Sequence, residues 1–452
     1  MTAGERVGHD AADDPATSAA ASPPSPAPAG PVELLKSRSY VALLLLGAIL
    51  GVVVSAVAYF FLKGVAEAQQ YLFTTLPGDL GFDSAPMWWP IPLLAVCGMV
   101  VGLTIRYLPG TGGHEPAEGF KAAGAVPPIE LPGIIVAAFV TLSFGAVLGP
   151  EAPLIAIGSG MGVLAVHLIK RDAPQTATVV IGAAGSFAAI SALFGSPLTG
   201  AFLLMEVSGI GGPLLGVVLV PGLLAAGVGS LIFIGLDAWT GFGDFSLAIP
   251  DIPAFATPTA AEFLWAVGIG VAAALLGSGI RRLALLLQPV VERRRVLLTP
   301  VVGVAVACFA IVFAEGSDRS SSVVLFSGQS ALPTLIQQAE GWTVGALVLL
   351  VVCKSLAYSA SLSAFRGGPT FPGMFIGAAG GIALSHLPGL PMIAGVAMGI
   401  GAMTVAMLGF PLTSVLIVAV LLQADAGSLL PLVIVAVVVS YVTSARLGPS
   451  EA

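Results

Sequence analysis

The longest stretch of this chain without a charged side chain, Gly367 to Ala424, holds no Asp, Glu, Lys or Arg. Water does not tolerate such a run on a protein surface, whereas a bilayer demands one, since about 20 apolar residues cross ~30 Å of hydrocarbon as a helix. Uncharged runs recur upstream, at Tyr40–Leu62, Ser84–Ile105, Leu131–Pro150, Ala173–Met205, Val207–Leu236, Phe263–Ile280 and Val296–Ala314, and a last one ends at Ala445. With 57% hydrophobic and 9% charged residues, the chain reads as an all-α, polytopic membrane protein. Several runs exceed one span and are broken by Gly and Pro. That pattern implies short, tilted or re-entrant helices, because irregular backbone survives at membrane depth only inside protein or beside water.

Charge patterning orders the chain. Residues 1–34, rich in Ala, Pro, Ser and Asp, read as a disordered tail, placed on the cytoplasmic side by Lys36 and Arg38 ahead of the first run. A first membrane repeat is expected over 35–236, entered a second time through the interfacial pair Trp88 and Trp89. An extracellular connection at 237–262 carries Asp237, Asp244, Asp251 and Glu262. A second repeat covers 263–446, and a short cytoplasmic tail, 447–452, ends the chain. Basic residues are scattered and the net charge is −7, which argues against a nucleic-acid partner. Cys97, Cys308 and Cys353 stand singly in apolar stretches and read as buried packing thiols, so no metal or other cofactor is expected. The glycine-rich stretches Gly158–Gly162 and Gly377–Gly381 read as helix-packing surfaces, since lipid offers no hydrophobic drive and backbones must approach closely.

Between these runs lies Gly149-Pro150-Glu151-Ala152-Pro153, which puts one carboxylate in the first turn of an apolar helix. A lone intramembrane carboxylate costs roughly 3 kcal/mol on insertion scales and marks a functional candidate. The plainer reading is a carboxylate complementing the positive end of a helix whose first position is Pro150. An echo elsewhere favours function. Gly368-Pro369-Thr370-Phe371-Pro372 shares the GPxxP frame, with Gly158 and Gly377 each five residues past the second proline. Likewise Gly195-Ser196-Pro197-Leu198-Thr199 is echoed by Gly409-Phe410-Pro411-Leu412-Thr413.

The halves also enter from opposite sides. The first begins behind Lys36 and Arg38; the second begins behind the acidic connection, and its first helix exits into Arg281, Arg282 and Arg293-Arg294-Arg295. Inverted repeats of this kind converge helix N-termini at the midplane, a focus suited to an anion. Lys354 and Arg366 lie near the second motif, where they either add positive potential or snorkel to an interface or pair with a carbonyl. Among the histidines, His114 alone sits beside a candidate motif.

These motifs resemble the CLC family of chloride channels and chloride/proton antiporters over most of residues 35–445. Glu151 in GPEAP is similar to the gating glutamate of GREGP; Phe194–Gly200 resembles FNAPLAG; Gly367–Pro372 resembles the GxFxP anion loop, and Gly110–Glu115, loosely, GSGIP. The resemblance implies Glu151 as gate, with Thr111 or Gly112 and the amides of Thr370 and Phe371 as anion contacts. Gly149, Pro150, Pro153, Gly368, Pro369 and Pro372 would support them. It also implies a homodimer in the plasma membrane carrying chloride. Departures accompany it. The position matching the internal proton glutamate is Val207, with Glu206 one step, about 100°, around the helix. Pro150 and Pro369 remove amides the family would offer, and no inner tyrosine is matched after Tyr441. The expectation is therefore a passive or uncoupled anion pathway. The alternatives are a proton-coupled antiporter using another proton route and, remotely, an intramembrane enzyme, for which no HExxH, GxSxG or paired carboxylates appear.

Overall fold

The computed structural model describes residues 36–120, 124–208, 213–241, 255, 257–423 and 426–448. The tail at 1–34, with Asp244 and Asp251 of the connection and residues 449–452, lies outside the described residues. Helices dominate. The first half supplies α1 (Arg38–Gln70), α2 (Pro90–Tyr107), α3 (Leu131–Ser143), α4 (Glu151–Ile169), α5 (Gln175–Phe194), α6 (Pro197–Ser208) and α7 (Pro213–Thr240). The second supplies α8 (Ala260–Arg293), α9 (Arg295–Ser317), α10 (Val344–Ala364), α11 (Thr370–Ser385), α12 (Met392–Leu408), α13 (Pro411–Leu422) and α14 (Ala426–Leu447). Among the described residues, nine helices are long and apolar enough to cross a membrane. Their outer faces carry exposed Leu45, Ile49, Leu231 and Leu264, as lipid contact requires.

The long uncharged runs break where the local chemistry stops a helix. Gly195 ends α5 in the left-handed region (φ 61°) and Pro197 opens α6; Gly409 (φ 77°) and Pro411 do the same between α12 and α13. Glu262 lies inside α8, where it forms a capping box with Thr259 and ties the helix start.

The two halves pack by the same plan. Helix α4 lies on α5 and α11 on α12; α1 lies on α7 and α8 on α14; α5 meets α7 and α12 meets α14. Two helices also touch their own counterparts, α2 against α9 and α6 against α13, as an approximate two-fold axis demands. Close approach rests on the glycines picked out in the sequence. A Cβ at Gly158 would fall 2.3 Å from the Gly185 carbonyl oxygen, and one at Gly377 would fall 2.2 Å from that of Gly399.

The axis is fixed most tightly by the echoed motifs themselves. Gly149 and Gly368, equivalent residues of the two GPxxP frames, form an isolated antiparallel bridge. The Gly149 amide donates to the Gly368 carbonyl at 2.8 Å, and the Gly368 amide returns a bond to the Gly149 carbonyl at 2.6 Å. From this bridge α4 and α11 diverge, so two helix N-termini start side by side in the centre of the molecule.

Candidate functional site

Glu151 is fully buried beside this bridge. Pro150 is the N-cap of α4, outside the first helical position, and Glu151 opens the helix; Pro369 and Thr370 play the same parts in α11. One carboxylate oxygen, Oε1, accepts the Thr370 amide, and the other, Oε2, is buried without a partner, as is the Thr370 hydroxyl. The Thr370 side chain and the Phe371 amide lie close enough to act on the carboxylate. The glycines make the seat. A Cβ at Gly368 would fall 2.3 Å from Glu151 Cδ, and one at Gly149 would fall 2.0 Å from Oε2. A carboxylate thus occupies the place where amides and the positive end of α11 would hold an anion. Tyr358 of α10 braces the same loop by donating its hydroxyl to the Pro369 carbonyl at 2.7 Å. The Phe371 ring packs on Phe194, 5.9 Å between centroids.

Two cavities are lined by the residues that flank Glu151 in the chain. One, of about 360 Å³, is lined by Gln69, Leu148, Pro150, Phe326 and Ser327. The other, of about 270 Å³, is lined by Thr111, His114, Glu130, Ala152 and Ile155. Glu151 lies between Pro150 of the first and Ala152 of the second.

The second cavity is walled by a turn of unusual backbone. Gly110, Thr111, Gly112 and Gly113 all have positive φ, at 79°, 49°, 71° and 98°. Three glycines adopt this freely; Thr111 does so at a cost. The turn is held from the other half of the molecule. Arg366 Nε donates to the Thr111 carbonyl at 3.1 Å, and its Nη2 donates to Glu115 Oε1 at 2.9 Å. Glu115 also accepts from Arg295 at 3.1 Å and from Gln288 at 2.5 Å. Burial works to raise the Glu115 carboxyl, but the charges of Arg366 and Arg295 outweigh it and hold the group below its ordinary range. Thr111 is exposed and lines the cavity; Gly112 is buried behind it, against Ala137, Ile105 and the Arg366 stem.

The structure therefore gathers Glu151, Gly149, Pro150, Gly368, Pro369, Thr370 and Phe371 at one point, with Thr111 across the adjoining cavity. It places Glu206 and Val207 elsewhere. Glu206 caps α13, its Oε1 accepting the Leu412 amide at 2.9 Å and its Oε2 the Thr413 amide at 2.7 Å. Val207 lines a small apolar pocket with Ile155, Phe187 and Leu204. The hydroxyls there are committed, Ser186 to the Ile155 carbonyl and Ser208 to that of Met205.

Of the readings left open for Lys354 and Arg366, pairing with carbonyls holds and snorkelling does not, for both are buried and Arg366 donates to the Thr111 carbonyl. Lys354 Nζ instead donates to the carbonyls of Val323, Val324, Leu325 and Phe326 at 3.0–3.3 Å and sits 4.5 Å above the Phe375 ring. This ammonium neutralises the partial charge of a turn that ends at the cavity lined by Phe326 and Ser327. The expectation of three buried thiols needs correction, for Cys308 is exposed, while Cys97 and Cys353 are buried. Sequence reasoning also passed over Glu130 and Tyr358 as parts of the site and met Glu115 only as the end of the loose Gly110–Glu115 match; Glu130 borders a long uncharged run, a signal Tyr358 lacks.

Over residues 97–445 the chain matches a family described as voltage gated chloride channel. It is 30% identical over 363 residues to a putative ion-transport protein YfeO of Salmonella choleraesuis (strain SC-B67), covering 79% of this chain and 84% of the relative. Against its namesake from Escherichia coli O7:K1 (strain IAI39 / ExPEC) the identity is 28% over 364 residues, covering 79% and 82%. Among solved structures, a slow cyanobacterial Cl-/H+ antiporter superposes with a TM-score of 0.73 at 17% identity, covering 90% of this chain and 95% of that one. A CLC-type fluoride/proton antiporter gives 0.67 at 19%, covering 90% and 96%. At these identities the structural likeness speaks for the fold.

Proposed function

Since this chain belongs to the voltage-gated chloride channel family, we propose that it carries chloride or a similar small anion across the membrane along a path that Glu151 opens and closes. One observation carries the reading: a fully buried carboxylate takes the Thr370 amide at the start of α11, and its chain neighbours Pro150 and Ala152 each line a cavity. Chloride and carboxylate seek the same donors, so they compete for the seat. Protonation removes the side chain's charge and with it most of its claim. The path then runs from the cavity at Pro150, through the vacated seat, to the cavity at Thr111 and Ala152.

Transport of this kind is passive or uncoupled where no second carboxylate carries protons inward, and Val207 in an apolar pocket offers none. Proton-coupled antiport is the second reading, favoured by His114 and Glu130 in the lining of the cavity beside Ala152. Two copies, each with its own path and with both termini on the arginine-rich side of a plasma membrane, complete the proposal. Reversal potentials in proteoliposomes under a chloride gradient, with and without an opposing pH gradient, separate the readings; a shift driven by pH alone eliminates passive conduction. Glu151→Gln is expected to make chloride flux insensitive to pH, and full retention of the parent's pH dependence would remove Glu151 from the gate.

A further inference from the structure

If Glu151 is the gate, protons have to reach it, and the position through which the resemblance would bring them holds Val207, which carries none. Around Val207 the lining is apolar and the hydroxyls of Ser186 and Ser208 are spent on backbone carbonyls. Ile155 forms part of that pocket and also part of the second cavity, so it stands between the two. The second cavity, of about 270 Å³, has room for several waters at ~30 Å³ each. Its lining holds two proton-exchanging side chains, His114 and Glu130, and Ala152, which follows Glu151 directly in α4.

We propose that His114 and Glu130 form the proton-exchange site serving Glu151, delivering protons through this cavity from the side on which Arg293, Arg294 and Arg295 lie. The inference rests on the reading of Glu151 as the gate. The step is a simple transfer: Glu151 gains a proton through cavity water and loses its negative charge, while the imidazolium or carboxylic acid gives one up and regains it from bulk water. Imidazole suits the task because one ring nitrogen can take up or give a proton while the other keeps its hydrogen bond. One ring nitrogen of His114 is engaged with the Gly119 carbonyl at 2.5 Å, which orients the ring.

The charged surroundings permit this. The α4 wall contributes only Ala152, Ile155 and Ala156. From the turn before Gly119 comes Glu118, and from α8 comes Arg281, whose guanidinium lies 3.1 Å from where a Gly119 side chain would start. Behind Thr111 the charges of Glu115, Arg366 and Arg295 are paired with one another. At Glu151 itself the titratable neighbour is Tyr358 of α10, its hydroxyl committed to Pro369.

The test is kinetic, because a relay changes how fast Glu151 is protonated. Proteoliposomes with the chain inserted in one orientation receive a pH drop from 7.5 to 5 on the arginine-rich side, and the onset of chloride efflux is timed. Glu130→Gln combined with His114→Gln is expected to slow the onset at least tenfold, and added imidazole buffer, small enough for the cavity, to restore it. Both residues are only half-buried, so the single variants provide folded controls, each expected to slow the onset severalfold. An onset within twofold of the parent, or a slowed onset that imidazole leaves unchanged, overturns the proposal. Glu151→Gln is run beside them: a parent-like response there rejects Glu151 as the gate, a failure distinct from that of the relay.

Discussion

A single methyl group placed at Gly368 tests the seat without touching the carboxylate chemically. The Cβ of Gly368→Ala would lie 2.3 Å from Glu151 Cδ, 2.5 Å from Cγ and 2.6 Å from Oε2, all atoms of one flexible side chain. Gly368 is not among the residues with positive φ, so the backbone accepts alanine and the glutamate has to yield. Displacing it removes the charge-assisted bond from the Thr370 amide. Such bonds contribute about 1.5–3 kcal/mol, which converts to a roughly 10- to 150-fold shift from the closed toward the open arrangement. Chloride efflux from proteoliposomes at pH 7.5 is therefore expected to rise by at least tenfold and to lose most of its acid activation. In a Glu151→Ala background the same substitution has nothing to displace, and flux is expected to stay within twofold. Unchanged flux with full acid activation in Gly368→Ala would refute the seat. A tenfold rise that persists in the Glu151→Ala background would show that the methyl acts elsewhere.

Other outcomes follow from neighbouring contacts. Glu206→Ala uncaps α13 and is expected to cost about 1–3 kcal/mol, read as a lower thermal midpoint in detergent, with the pH dependence of chloride flux retained. Lys354→Met leaves four carbonyls without their ammonium and is expected to destabilise by about 1–3 kcal/mol in the same assay. Glu115 has a lowered folded-state pKa, so its contribution to stability is present above its unfolded value and fades as pH falls through the folded one. Glu115→Gln is thus expected to lower the midpoint at pH 7 and to converge with the parent in strong acid.

Much of this architecture was legible because hydrocarbon imposes simple rules. Uncharged runs marked most of the long helices but not α10, which Lys354 interrupts, and the paired GPxxP frames marked as equivalent the two glycines that the fold joins by reciprocal hydrogen bonds. What escaped was inward or outward facing. In lipid the outer face of a helix is as apolar as its inner face, so hydropathy could not tell exposed Cys308 from buried Cys97. Nor could it tell a lysine reaching an interface from one caged by carbonyls about thirty residues earlier. The bond from Arg366 to Glu115 joins residues 251 apart, and Glu206 caps a helix 207 residues on. Such contacts exist only after the halves have docked.

The reciprocal bond between Gly149 and Gly368 has a corollary for Glu151, whose counterpart in the second frame is the very residue that donates to it, Thr370. A locus so near its own mirror position has room for one acid alone. A second at 370 would bring two negative charges into one dry spot, and one of them would have to stay protonated. The two copies of the scaffold accordingly differ at this point, Glu151 in one and Thr370 in the other, so that a twinned framework holds a single, unshared acid.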